Sequence, residues 1–138
     1  IDLDNFKKLN DTLGHDKGDQ CLREFGRVLK KRCAGGAVFR FGGDEFCVLF
    51  QNQTTEQIKL ICEKIQNDLH KSMLNQSGIL LTASFGIARY KQQMSARELL
   101  QNADAALYHS KKSRDAVCIY ENWEQLHFTA PGEELAPT

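Results

Sequence analysis

Residues 38–50 read Val38-Phe39-Arg40-Phe41-Gly42-Gly43-Asp44-Glu45-Phe46-Cys47-Val48-Leu49-Phe50, two Val- and Phe-rich runs on either side of a Gly-Gly pair. That pattern fits a β-hairpin, because a tight turn needs backbone angles that glycine adopts at little cost. The hairpin commits the chain to a sheet, and its turn carries Asp44 and Glu45 outward side by side. Adjacent carboxylates repel unless a cation or a proton joins them, so the turn points to a bound metal. Glycines without a Cβ also let a bulky anionic ligand approach the backbone. A solvated acidic turn is the plainer reading, and the rest of the chain decides between the two.

Ile1 to Asp4 alternates apolar and acidic residues, which puts Ile1 and Leu3 on one face of a strand and Asp2 and Asp4 on the other. Asn5 to His15 is polar and reads as a helical turn and loop. A helix starts at Asp16 or at Gly18-Asp19, with Cys21, Leu22, Phe25, Val28 and Leu29 along one face, and Gly35-Gly36 stops it. Beyond the hairpin, Thr54 with Gln57 forms a capping-box pattern for a helix presenting Ile58, Ile61, Cys62, Ile65 and Leu69. Asn75 to Gly78 reads as a turn. Ile79 to Tyr90 reads as a half-buried strand, with Leu81, Ala83, Phe85 and Ile87 alternating against Thr82, Ser84 and Gly86. Ser95 and Glu98 form a second capping box, for a helix that turns Leu99, Leu100, Ala103, Ala106 and Leu107 inward. Ala116 to Tyr120 is a last strand, and 121–138, with Pro131 and Pro137 and no periodicity, is expected to be a loosely held tail.

The order strand, helix, hairpin, helix, strand, helix, strand predicts an α/β (α+β) fold, a mixed central β-sheet flanked by helices, in one domain over residues 1–120. The chain opens inside its first strand, so an N-terminally truncated domain is expected. With 138 residues it can bury a sizeable core. A formal net charge of zero gives no electrostatic footprint for nucleic acid or an anionic membrane, so a polyanionic ligand would be held by a few placed groups. No apolar run approaches the roughly 20 residues that span a bilayer. Cys21, Cys33, Cys47, Cys62 and Cys118 are odd in number, fall mostly on apolar positions and lack zinc-site spacing. They read as core residues in a reducing compartment, which places the domain in the cytoplasm.

Nucleotidyl transfer needs carboxylates on neighbouring strands, so that divalent cations can bridge the attacking hydroxyl and the phosphate oxygens. Asp2, Asp44 and Glu45 meet that demand if their strands pair. Hard oxygen donors without an imidazole cluster favour Mg²⁺ or Mn²⁺ over zinc. Taken alone, Asp2 reads equally well as an exposed acid on an edge strand.

Three segments, Gly42 to Phe46, Asp2 to Asp19 and Asn102 to Asp115, together resemble the GGDEF diguanylate cyclases, which join two GTP molecules into cyclic di-GMP. The resemblance implies a palm/ferredoxin-like nucleotidyl cyclase topology, two Mg²⁺ (or Mn²⁺) per active site, and a homodimer. Asp2, the Leu3 carbonyl and Asp44 are then metal ligands, and Glu45 binds metal or deprotonates the ribose 3′-hydroxyl, which makes Asp44 and Glu45 the catalytic acids. Backbone amides around Asn5, Phe6 and Lys7, with the Lys7 ammonium, would hold the β- and γ-phosphates. Asp19 with Asn10 would read guanine, because a carboxylate accepts from its N1–H and N2–H₂ but meets an acceptor in adenine. Lys111 and Arg114 map to the cations that neutralise the leaving pyrophosphate, although the glycine usual before the arginine is absent and the turn is one residue short. A basic helix C-terminus, favoured by the macrodipole, is the plainer reading of those two.

Two departures from the pattern matter. Where many members carry Arg-x-x-Asp just before the hairpin, this chain reads Arg32-Cys33-Ala34-Gly35-Gly36, so no inhibitory product site is expected. The helix and Asp-x-Leu-Thr-Gly-Leu-x-Asn-Arg loop that precede the first strand in the family also fall before Ile1. A parent protein is expected to carry an upstream sensory domain and to be cytosolic, or membrane-anchored with this domain on the cytosolic side. The rival expectation is a catalytically silent GTP-binding regulatory module. A polymerase palm is disfavoured by the lack of a basic channel.

Overall fold

The computed structural model describes residues 1–77, 81–120 and 126–129. Along the chain run β1 (Asp2–Leu3), α1 (Phe6–Leu13), α2 (His15–Arg32), β2 (Ala37–Gly42), β3 (Glu45–Leu49), α3 (Thr55–Ser77), β4 (Ala83–Ala88), α4 (Ala96–Ser113), β5 (Val117–Tyr120) and β6 (Leu126–Thr129). The six strands form one sheet in the order β2-β3-β1-β4-β5-β6. Every neighbouring pair is antiparallel except β4 and β5, so the sheet is mixed, with helices packed on it.

Strand β1 is short but central. Asp2 lies opposite Glu45 of β3 on one side and Ser84 of β4 on the other. Leu3, at 1% exposure, joins Phe6 and Leu9 of α1, Phe25 and Leu29 of α2, Ile65 and Leu69 of α3, and Phe85 and Ile87 of β4 in one core. Phe25 meets Phe46 of β3 edge to face with ring centroids 5.0 Å apart. Burial pushes the Cys62 thiol up to about 12 and the Cys33 thiol up to about 11, which suits packing residues rather than reactive ones.

The Thr54–Gln57 capping box closes in both directions, and at Ser95–Glu98 the N-cap bond forms without its reciprocal. The Thr54 amide donates to Gln57 Oε1 (2.9 Å) and the Gln57 amide to Thr54 Oγ1 (3.1 Å). The Glu98 amide donates to Ser95 Oγ at 3.1 Å.

Four elements differ from the sequence reading. The stretch from Asn5 to His15 is a helix of eight residues followed directly by α2, because buried Phe6 and Leu9 seat α1 against it despite the polar residues between them. Helix α3 runs to Ser77, so 75–77 are helical rather than a turn; Gly78, Ile79 and Leu80 lie outside the described residues. Strand β4 is covered on both faces rather than half-buried: Phe85 and Ile87 face the core, while Ser84, fully buried, and Gly86 face α4. A Cβ at Gly86 would overlap the backbone of Ala103 and Leu107, so this glycine is what lets α4 lie directly on the strand. Finally, β6 pairs with β5 (Cys118 opposite Phe128); the rest of the tail, Trp123 included, lies outside the described residues.

Candidate functional site

The hairpin turn is stitched to β1. The Leu3 amide donates to the Asp44 carbonyl (3.1 Å) and the Phe46 amide to the Ile1 carbonyl (2.8 Å). Gly42 (φ 149°) and Gly43 (φ 49°) supply the turn's positive φ values, and the Arg40 guanidinium donates to the Gly43 carbonyl at 3.0 and 2.7 Å. These bonds bring the Asp44 carboxyl against that of Asp2. Burial, with the neighbouring Asp44, raises the Asp2 carboxyl to about 6 despite the opposing pull of Lys111. Asp2 Oδ1 is buried without a hydrogen bond, although the Lys111 ammonium lies within ion-pair range at 3.4 Å.

That orphaned oxygen tests the expected metal. Among the described residues no cluster of three or more His, Cys, Asp or Glu side chains is poised to hold an ion. Asp2, Leu3 and Asp44 do line one cleft, and the two carboxylates and the Leu3 carbonyl are all hard oxygen donors. Such a partial set fits Mg²⁺, which keeps several waters and takes the rest of its ligands from phosphates.

The N-terminus of α1 opens onto the same cleft. Asn5 sits in the left-handed region (φ 59°, ψ 23°), which asparagine tolerates, and its side chain does not cap the helix. Its carbonyl accepts the Leu9 amide at 3.1 Å. The amides of Phe6, Lys7 and Lys8 then have no acceptor within the helix, and the positive end of the helix dipole meets whatever occupies the cleft.

Lys111 also lines the cleft, and buried Asp4 holds it from behind. Lys111 Nζ donates to Asp4 Oδ1 (2.8 Å) and to the carbonyls of Leu3 (3.2 Å) and Asp2 (3.4 Å). Asp4 is 1% exposed and also accepts from Ser84 Oγ, Thr82 Oγ1 and the Asp115 amide. Burial alone would raise its pKa, but these four donors outweigh that and hold the carboxyl below the usual range. Sequence reasoning assigned Asp4 nothing beyond a strand face. The available signal was the hydroxyl pair two residues apart, Thr82 just before β4 and Ser84 within it, which are the hydroxyls that bind it.

The cleft has a volume of about 680 Å³ and collects Asp2, Leu3, Asn5, Phe6, Lys7, Asp44, Lys111 and Arg114 of the expected residues, with Lys8 and Asp11 besides. Glu45 is exposed and does not line it, although its Cα faces that of Asp2. Asp19 lines a separate hollow of about 320 Å³ with Leu22, Arg23, Arg40 and Phe46. Asn10 packs its side-chain oxygen, buried and unbonded, onto Gly18. Arg32, at the position of the product-site motif, is bonded instead to Asp68 of α3 through Nε (2.6 Å) and a terminal nitrogen (2.9 Å).

Comparison with known proteins bears on this geometry. The family model described as "Diguanylate cyclase, GGDEF domain" matches residues 1–116. Diguanylate cyclase DgcS of Shewanella oneidensis is 40% identical over 116 residues, covering 82% of this chain and 38% of that protein. Cyclic di-GMP phosphodiesterase NbdA of Pseudomonas aeruginosa is 36% identical over 114 residues, covering 80% of this chain and 15% of that protein. The chain thus spans under two fifths of either relative. The crystal structure of the GGDEF domain of DgcB from Caulobacter crescentus, in complex with c-di-GMP, matches with a TM-score of 0.80 at 32% identity, covering 88% of this chain and 75% of that one. The mixed sheet with flanking helices is therefore the palm-like fold of such domains.

Proposed function

The chain belongs to the GGDEF family, and from that premise we propose that it is the catalytic domain of a diguanylate cyclase, condensing two GTP molecules into cyclic di-GMP with release of pyrophosphate. The observation that carries this reading is the single cleft that joins the Asp2 and Asp44 carboxyls, the uncapped end of α1 with Lys7, and the cations Lys111 and Arg114. A triphosphate needs that division of labour. The free amides of α1 and the Lys7 ammonium take the β- and γ-phosphates, and Lys111 and Arg114 offset charge on the departing pyrophosphate. Two Mg²⁺ (or Mn²⁺), when bound at Asp2, the Leu3 carbonyl and Asp44, supply neutralisation of phosphate charge and activation of the attacking hydroxyl. Glu45, exposed at the turn, accepts the 3′-hydroxyl proton. Asp19, with Asn10, selects guanine through its N1–H and N2–H₂ donors, and Leu22 and Phe46 in the same hollow offer apolar surface to the ring.

One chain offers one triphosphate cleft among its described residues and so takes one GTP, and the product is symmetric, so two chains face each other and each 3′-hydroxyl attacks the other's α-phosphate. Because the chain spans under two fifths of the relatives it matches, we propose further that it serves on the cytosolic side as the output domain of a longer protein.

A second reading, a silent module that binds GTP and regulates a partner, is favoured by two observations. Glu45 lies outside the cleft, and Lys111 is engaged with Asp4. Incubating the chain with GTP and Mg²⁺ and chromatographing the products separates the two. Cyclic di-GMP from the wild type, abolished in Asp44→Ala with the melting temperature within a few degrees, supports the cyclase. Bound GTP with no product supports the silent module.

A further inference from the structure

Arg114 and Asp115 lead from α4 into β5 with consecutive positive φ values, 61° (ψ 166°) and 47°, although neither is glycine. L residues hold such angles only where their surroundings fix them. The fixing contacts converge on Asp115. Its amide donates to Asp4 Oδ2 at 2.8 Å, and its carboxylate receives His70 Nε2 at 2.8 Å and Gln66 Nε2 at 3.3 Å, both from α3. Asp115 thereby ties the end of α4 to Asp4, just after β1, on one side and to α3 on the other. Arg114, the residue before it, lines the cleft beside Asp2, Lys7 and Lys111.

We infer that Asp115, held by His70 and Gln66 of α3, is a positioning residue that keeps Arg114 in its left-handed conformation and aimed at the nucleotide's phosphates. It touches no substrate itself and acts through Arg114. The inference deepens the nucleotide reading of the cleft and rests on it. It also accounts for the missing glycine in this turn: the arginine stands in a glycine-like conformation that a side-chain clamp maintains.

A double-mutant cycle tests it, read as the dissociation constant of α,β-methylene-GTP with Mg²⁺ in calorimetry of the full chain. Arg114→Gly should weaken binding about tenfold, the loss of one charge-assisted contact. His70→Leu should weaken it about fivefold alone and add nothing in the Arg114→Gly background, because both act through the same guanidinium. His70→Gln, whose amide still donates to Asp115, should restore affinity to within about twofold of the wild type. If His70→Leu melts too low to assay, Asp115→Gly takes its place, since it keeps the backbone amide that bonds Asp4 and tolerates a positive φ but removes the carboxylate that His70 grips. Effects of His70→Leu and Arg114→Gly that multiply, or a lowered melting temperature with unchanged affinity, would overturn the inference. A wild type that binds no analogue would overturn the nucleotide reading itself, a result distinct from either.

Discussion

Replacing Asp4 by asparagine removes a charge and no volume from a side chain that accepts four hydrogen bonds. Oδ1 takes Ser84 Oγ (2.7 Å) and Lys111 Nζ (2.8 Å); Oδ2 takes Thr82 Oγ1 (2.7 Å) and the Asp115 amide (2.8 Å). Asparagine offers one oxygen and one NH₂. A hydroxyl facing the NH₂ can rotate to accept, but neither an ammonium nor a backbone amide can. Whichever way the amide is turned, one donor faces another donor, which costs about 1–3 kcal/mol. Lost charge assistance in the remaining bonds adds about 1–2 kcal/mol. The expected destabilisation is then about 3 kcal/mol, or a melting temperature lower by about 12 °C in a chain of this size. Thermal melts at neutral pH measure it, with urea unfolding to confirm an unchanged m-value. The effect also has a pH signature. A carboxyl held below its unfolded pKa of 3.8 contributes stability above that value and loses it as the pH falls through the folded one. The gap between wild type and Asp4→Asn should therefore be full at neutral pH and close below about pH 4. A gap of less than about 3 °C at neutral pH, or one that persists in acid, would refute the reasoning.

Gly86→Ala should destabilise by about 2–3 kcal/mol, since its methyl group meets helix backbone that cannot move aside, and should weaken GTP binding by shifting Lys111; melts and calorimetry check both. In chelator, the Asp2 carboxyl keeps its proton to about pH 6 in the folded chain but only to 3.8 when unfolded, so stability should fall as pH rises across that window. Excess Mg²⁺ should flatten that slope, and melts showing no slope in chelator would count against the buried acid pair. Because Arg32 is bonded to Asp68 and the product-site aspartate is absent, cyclic di-GMP should not inhibit through this position. Tight noncompetitive inhibition abolished by Arg32→Ala would contradict that expectation.

How legible each part was depended on whether its signal was local. The hairpin, the two helix caps and the apolar stripe of α2 carry their information within a few residues, and the structure follows them. Helix α1 escaped because Lys7, Lys8, Asn10 and Asp11 outnumber its buried Phe6 and Leu9, and eight residues show too little periodicity. The polar face of β4 reads like a solvent face until α4 is placed over it, which only Gly86 and the fully buried Ser84 make intelligible. The role of Asp4 was hard to read for the same reason, as its two hydroxyl partners lie about 80 residues away and its other two donors, Lys111 and the Asp115 amide, more than 100. Most of the expected site residues fall on one cleft because β1, α1 and the turn are near neighbours in the fold. Glu45 and Asp19 fall outside it because strand alternation and helix phase, rather than sequence proximity, set where they face.

The central claim is spatial, that a guanosine triphosphate lies with its phosphates on the first turn of α1, between the Asp2–Asp44 carboxyls and the Lys111–Arg114 cations. A crystal structure of the chain with α,β-methylene-GTP and Mg²⁺ measures this directly. The account predicts phosphate oxygens on the amides of residues 6–8 and a metal ion contacting both Asp2 and Asp44. A nucleotide bound elsewhere, or bound in the cleft with those two carboxyls free of metal, would contradict it.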